Sequence, residues 1–400
     1  MMLHMDACRQ TCIRYNRLQA WIFIQACFFV PIFEAAALSG AWCPRRVPSC
    51  RLAHRMKPDE AIQRYGRLMV MKVLLWGHKM FTIDFLWGFE QAGCYALING
   101  ADTAEQMQAT LEEHEPDLLM TMGAPLELKR SALEYVGKRP KSSMRYIHWD
   151  TDGISSTYYR SISGDGIEMD VIYLSKPDLV LTMCPEMLEY LKKKNIPCEM
   201  MYYAYSPVSH RPLLGSYNGL HQINLVGTSY VDLYKYRPNH YRYASLKILL
   251  KPLLEKGYDV HIYGDDGYRP LVKTLLDIDA PESSFHRYLP YEITCAVYNS
   301  SFINLVTQNH DQTITKRTFE ILGSGAFALS SDNAAVKKLF VPGRDLVVSS
   351  SPEQTLELVD HYLNNPDELR KVRENAPISV QNHTYKQRAE YVLELVKKYW

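Results

Sequence analysis

Residues 309–332 read NHDQTITKRTFEILGSGAFALSSD and follow an apolar run at 302–306 that has the length of a buried strand. Thr313, Thr315, Lys316 and Arg317 gather where a helix would begin. Glu320 lies one turn further on, and Gly323 and Gly325 mark the end. The first turn of a helix presents unpaired N–H groups and a positive dipole end, so with two cations beside it the segment suits a diphosphate. A carboxylate one turn later can accept hydrogen bonds from two vicinal hydroxyls, as a ribose presents. An ordinary solvated helix start with a glycine cap would use the same residue types.

Other groups with chemical potential are scattered. His78 follows the apolar run 71–77 and could act as a general base, or be a plain surface-loop histidine. His148, near the end of 144–149, is a second candidate of the same kind. Asp150-Thr151-Asp152 has two carboxylates at a spacing that divalent cations use. A turn-capping or acceptor-side role is the preferred expectation there, and no metal site is expected. Asp265-Asp266-Gly267 reads as a turn. The chain has no G-x-S-x-G, H-E-x-x-H, Walker A or C-x-x-C pattern, so hydrolase, protease, NTPase and zinc readings lack support. No G-x-G-x-x-G follows a strand, which argues against a dinucleotide-dependent oxidoreductase.

The elements that must position these groups alternate. Strand-like runs at 71–77, 94–99, 117–122, 144–149, 178–183 and 198–204 are separated by helical spacing at 82–92, 104–114, 126–137 and 185–194, with Thr82 as the expected cap of the first helix. The polar stretch 206–219 (SPVSHRPLLGSYNG) reads as a linker. The alternation then restarts. Strands are expected at 222–226, 258–263, 285–289, 302–306, 326–329 and 345–348. Helices are expected at 242–255, 269–276, 291–299, 314–323 and 334–340, and from 352 to the end. Such alternation predicts α/β architecture, with two Rossmann-like domains facing across a cleft. A length of 400 residues accommodates both. The expected bounds are 71–212 for the first domain and 213–385 for the second, with a final helix at 386–400 packing back on the first. With 45 basic against 44 acidic residues, no global field for nucleic acid is expected.

Residues 1–70 differ from the rest. They hold five of the nine cysteines (Cys8, Cys12, Cys27, Cys43 and Cys50) and ten Lys and Arg, nine of them Arg, against four acids. The apolar run 19–39 is interrupted by Gln25, Pro31 and Glu34. It reads as a signal peptide, a weak membrane anchor or a translated upstream extension with Met69 or Met71 as the working start. Membrane association is expected only if that run is retained, and the location is otherwise expected to be cytoplasmic.

FEILGSGAFALSSD preceded by KRT resembles the donor-binding segment of the GT-B group 1 glycosyltransferases, and more specifically of the spore-maturation CgeB-type group. INLVGTSY resembles the strand and glycine turn that open the donor domain, and FHRYLPYEITCAVYNSSFINLV its base-binding strand, helix and strand. DLVLTMCPEMLEYLKKKNIPCEMMYYAYSPVSHRP resembles the end of the first domain. The pieces run in family order over about residues 71–400. The resemblance implies a GT-B fold and transfer of a sugar from a nucleotide-sugar donor to an unidentified acceptor (glycan, protein or small molecule). No tightly bound cofactor or metal is implied. Glu320 matches the second acid of the group's E-x7-E motif, which holds the donor ribose. The first would fall at 312, where this chain has Gln312, an amide at the sugar-contacting position. Lys316 and Arg317, with Thr313 beside them, match the basic diphosphate region. Gly227 and Thr228 match the glycine turn against the phosphates, and Leu289 and Pro290 the backbone that reads the nucleobase. The amide at 312 also leaves open a non-catalytic, sugar- or nucleotide-binding relative with a structural role in a spore or surface layer.

Overall fold

The computed structural model describes residues 70–400 apart from 124–125, 141–143, 154–161 and 214–220. The readings of 1–69, including the run 19–39, and the later part of the linker lie outside the described residues.

Six short strands form the front lobe: β1 Lys72–Gly77, β2 Tyr95–Ile98, β3 Leu118–Met122, β4 Arg145–Asp150, β5 Leu179–Thr182 and β6 Cys198–Met200. They pair in the order β2-β1-β3-β4-β5-β6, parallel throughout. The rear lobe has β7 His221–Val226, β8 Val260–Tyr263, β9 Phe285–His286, β10 Ser301–Val306, β11 Ala328–Ser331 and β12 Val347–Ser349. Their order is β9-β8-β7-β10-β11-β12, again parallel. Strands such as LLMTM at β3 are buried at every position, which is why they read as unbroken apolar runs rather than alternating ones. Chain direction across each sheet reverses between β1 and β3 and between β7 and β10. Ligands of open α/β sheets bind at such points, outside the carboxyl ends of the strands.

The helix Lys79–Gln91 begins earlier than the expected 82. His78 is its cap: the imidazole Nδ1 accepts the Met80 N–H at 3.3 Å, while the Thr82 hydroxyl bonds back to the Lys79 carbonyl at 3.2 Å. The expected 242–255 helix is instead two, Tyr241–Leu249 and Lys251–Glu255, with Pro252 at the start of the second, where its missing N–H costs nothing. The strand expected at 285–289 shrinks to Phe285–His286, and a turn of 3-10 helix, Tyr291–Ile293, follows Pro290. The helix Ile167–Ser175 has no counterpart in the sequence expectations.

The chain crosses between lobes twice, and the two crossings are hydrogen-bonded side by side. The Tyr205 N–H donates to the His383 carbonyl at 3.0 Å, and the Tyr385 N–H to the Tyr205 carbonyl at 3.1 Å. The last helix, Tyr385–Tyr399, then packs on the front lobe. Tyr385 meets Phe85 edge-on at 4.9 Å, and the Arg388 guanidinium donates to the Tyr202 and Tyr203 carbonyls at 2.8 and 2.9 Å. Phe81, Phe85, Phe89, Trp149, Tyr203 and Tyr385 form one buried aromatic cluster, each ring contributing roughly 1.5–3 kcal/mol by its removal from water. The crossing segment also abuts the helix Lys316–Gly323: a Cβ on Gly323 would stand 2.3 Å from the Tyr205 ring.

Candidate functional site

The rear-lobe switch point is built from the turns after β7 and β10. Gly227 donates its N–H to the Tyr263 carbonyl at 2.8 Å. Asp265, in the turn after β8, accepts the Ser229 and Gly267 N–H groups at 3.1 Å each, so the expected turn also braces the strand beside it. Arg242, 2% exposed, ties the two strand ends together. Its guanidinium donates to Asn309 Oδ1 at 2.9 Å, to Thr307 Oγ1 at 3.3 Å and to the Thr228 carbonyl. Gln308 is buried and locks the entry to the Lys316–Gly323 helix, accepting the Thr315 N–H at 2.9 Å and donating to Thr318 and Ser330 at 3.1 and 3.0 Å. Against this frame lies Arg317, whose guanidinium is the first thing a Cβ on Gly227 would meet, at 2.9 Å. The glycine turn and a fixed cation thus share one place, as a diphosphate site requires.

Lys316 points the other way, toward the front lobe. Its ammonium lies 2.9 Å from Asp84 Oδ2 and 2.5 Å from Glu320 Oε1, and it also donates to the Tyr291 hydroxyl. An ammonium has three protons, and these three partners take them. The Tyr291 hydroxyl in turn donates to Asp84 Oδ2 at 2.7 Å. Asp84 comes from the front-lobe helix Lys79–Gln91, so the cluster bridges the lobes. Asp84, Lys316 and Glu320 are buried, and Tyr291 is half-buried beside them. Burial alone would raise the Glu320 carboxyl, but Lys316, His210 and Arg317 outweigh it and bring it down to about 2. For Asp84 burial prevails and its carboxyl is raised, despite Lys316 and Tyr291. The same burial lowers the Lys316 ammonium, yet its two carboxylates more than offset this and hold it charged.

The other expected residues fall as follows. Thr313 is buried, and its carbonyl accepts from Asn333 Nδ2 at 2.8 Å. Gln312 is exposed, with its N–H on His310 Nδ1 at 3.1 Å. Thr228 directs its carbonyl inward to Arg242. Leu289 is half-buried against the interlobe core, and the Pro290 carbonyl is taken by the Ile293 N–H at 3.1 Å. His78 is exposed at the end of β1, and burial of part of the ring together with Lys316 lowers its pKa. Asp150 is a turn cap: Oδ1 accepts the Asp152 and Gly153 N–H groups at 3.0 and 2.8 Å, and Oδ2 the Thr182 hydroxyl at 2.5 Å.

His148 is corrected by the structure. It is wholly inside the front lobe, with Nδ1 on Thr121 Oγ1 at 2.7 Å and Nε2 on Glu168 at 3.2 Å. Burial drives its pKa down to about 3, so it neither reaches an acceptor nor takes its proton. Its strand position reads like that of His78, but β4 is a central strand covered on both faces and His148 lies before its end, whereas His78 lies beyond the end of β1. Sequence reading missed Asp84, Arg242 and Tyr291. Asp84 left a signal: it is the one carboxylate among Phe81, Thr82, Phe85, Gly88 and Phe89 on the buried face of its helix. Arg242 and Tyr291 left none, since both sit in ordinary polar surroundings along the chain.

Among the described residues, no helix is long and apolar enough to cross a membrane. The family model Glyco_trans_1_2, glycosyl transferase-like, matches residues 240–394. No curated protein matches the sequence. Sucrose-phosphate synthase from Thermosynechococcus elongatus is similar with a TM-score of 0.58 at 11% identity, over 82% of this chain and 98% of that one. Anabaena Alr3699/HepE in complex with UDP and glucose gives a TM-score of 0.54 at 10% identity, over 82% of this chain and 100% of the other. A glycosyltransferase from Rickettsia africae gives a TM-score of 0.54 at 11% identity, over 83% and 99%. At such identities the likeness is one of fold, and it meets the architecture expected from the sequence. The chain has the two-lobed α/β GT-B fold of glycosyltransferases, and within it residues 240–394 match the glycosyl transferase-like family model.

Proposed function

We propose that this protein transfers a sugar, of hexosyl type, from a nucleotide-sugar donor to an acceptor not yet identified. The observation that carries this reading is the meeting of Arg317 with the Gly227 turn at the rear-lobe switch point, one residue from a buried Lys316–Glu320 pair that faces the front lobe. The UDP and glucose held by the similarly folded Anabaena protein support it.

In this reading Arg317, the Gly227–Thr228 turn and the first-turn amides near Thr313 and Lys316 receive the diphosphate. Fixed charges of this kind stabilise a departing nucleoside diphosphate without reorganising, and do so without a metal ion. Glu320 receives the ribose, and the backbone at Leu289 and Pro290 borders the base. Gln312 faces the sugar. His78 is the acceptor-side base. Its Nδ1 is committed to the Met80 N–H, so its neutral form carries its single ring N–H on Nε2. Base action therefore proceeds with release of that cap bond, which frees the Nδ1 lone pair to take the acceptor's proton. Lobe contact excludes water, which would otherwise compete as acceptor. The quoted motifs extend the reading to the CgeB-type branch, with a role in spore maturation inside the cytoplasm.

The test is turnover with a panel of UDP-, GDP-, ADP- and dTDP-sugars, read as release of nucleoside diphosphate. Release above background with one of them is expected. Binding without release, unaltered by Gln312→Glu, favours instead a sugar- or nucleotide-binding relative, for which the amide at 312 is the supporting feature.

A further inference from the structure

Asp84 has features that packing alone does not explain. It is a carboxylate 1% exposed on a helix whose other buried positions are aromatic residues, Thr82 and a glycine. Its Oδ2 carries both the Lys316 ammonium, at 2.9 Å, and the Tyr291 hydroxyl, at 2.7 Å. Its Oδ1 is buried with no hydrogen-bond partner among the described residues. Burying a charge is costly unless it is paired, and an orphaned acceptor adds to the cost. The cluster also has an unusual sharing of roles. Two carboxylates from different lobes hold one ammonium, and one of the two is Glu320.

With both carboxylates present, the ammonium divides its charge between them, its third proton going to the Tyr291 hydroxyl. Glu320 is charged but not fully neutralised, and its other oxygen and remaining lone pairs stay available to hydroxyl donors. With Asp84 neutral, the ammonium has a single anion and closes on it, so Glu320 becomes a poorer acceptor. We propose that Asp84 is a positioning residue of the donor site, supplied by the front lobe, which keeps Glu320 set for the ribose hydroxyls through the shared Lys316 ammonium. This rests on the nucleotide-sugar reading above. It makes ribose recognition depend on contact between lobes, since half of the arrangement that orients Glu320 belongs to the front lobe.

The experiment is calorimetric titration of the full chain with UDP, GDP and ADP and with the 2′-deoxy form of each. The wild type is expected to bind at least one ribonucleotide roughly tenfold or more tighter than its deoxy counterpart, the scale of one hydrogen bond to a charged group. In Asp84→Asn, of the same shape without the charge, that ratio falls toward one. Tyr291→Phe, which frees Asp84 Oδ2 of its second donor and so strengthens its hold on the Lys316 ammonium, shifts the ratio in the opposite sense by a smaller factor. The ratio is the readout because a merely structural role would lower the melting temperature and both affinities together. An undiminished ratio in Asp84→Asn, or a ratio that does not rise in Tyr291→Phe should the first variant fail to fold, overturns the proposal while leaving the ribose role of Glu320 standing. A wild type indifferent to the 2′-hydroxyl in all three pairs removes the ribose role itself, and the proposal with it.

Discussion

The Arg317 guanidinium occupies the space that a side chain on Gly227 would need, 2.9 Å from where its Cβ would stand. The absence of a Cβ after β7 is thus what lets a cation from a helix 90 residues later settle at the strand end. Gly227→Ala is expected to push the guanidinium aside and weaken UDP binding by roughly tenfold, and Arg317→Ala by roughly tenfold to a hundredfold, the scale of charge-assisted hydrogen bonds. Both changes act on one group, so the double variant should be little worse than Arg317→Ala alone. Additive losses in a calorimetric cycle would mean that the two residues act separately.

In the proposed reading His78 serves two purposes that can be separated. As a helix cap it needs only an acceptor for the Met80 N–H, which Asn provides as well as any residue. As a base it needs an imidazole. His78→Asn should therefore leave the melting temperature within a degree or so while lowering sugar transfer by roughly 10²–10⁴-fold. Partial burial and Lys316 lower its pKa, so wild-type turnover should rise with pH through a midpoint below the usual imidazole value of 6.5. Full turnover in the Asn variant would move the base elsewhere.

What the sequence disclosed and withheld has a physical pattern. The apolar runs ending in Gly77 and Gly227 and the restart after 219 suffice for two parallel sheets, because buried parallel strands leave unbroken hydrophobic text. The Lys316–Glu320 spacing announced a candidate site because i and i+4 share one face of a helix. Partners distant in sequence were not legible. Nothing local in TIDFLWGFE says that Asp84 will meet Lys316, and nothing around Arg242 says that it will bind the turns after β7 and β10. His78 and His148 carry the same text-level signal, a histidine at a strand end. Only the cover of helices over β4 separates a buried ring from an accessible one.

Two buried histidines predict acid sensitivity. Burial lowers His148 to about 3 and His210 to about 4, the latter helped by Lys316 and opposed by Glu320. Between those values and 6.5 the unfolded chain binds protons that the folded one refuses, so stability falls as pH falls. Going from pH 7 to pH 5 should cost about 2 kcal/mol for each ring. His148→Gln should remove about 2 kcal/mol of that pH dependence, measured by urea denaturation at both pH values. Glu320 adds a lower limb. Its folded pKa of about 2 is depressed, so its contribution is complete above 4.5 and is lost as pH falls toward 2. Glu320→Gln should flatten that limb and leave the one above pH 5 unaltered.

In the proposed reading Gln312 is the residue on which catalysis and mere binding divide. It stands eight positions before Glu320, exposed on the loop leading into the Lys316–Gly323 helix. A carboxylate there would accept hydrogen bonds from sugar hydroxyls with full charge. The amide accepts through one oxygen and offers two N–H donors in place of the second. Charged acceptors hold hydroxyls more strongly, so Gln312→Glu should tighten retention of the intact nucleotide-sugar relative to the free diphosphate by roughly threefold to tenfold. The position is solvent-exposed, so the melting temperature should stay within a degree or two. If the native amide is tuned for transfer, kcat should change along with KM, because the same group touches the sugar as positive charge develops on it. If the protein only binds, KM-like affinity alone should respond and no diphosphate should be released by either form. Equal affinity of both forms for intact donor and for free diphosphate would place residue 312 away from the sugar altogether.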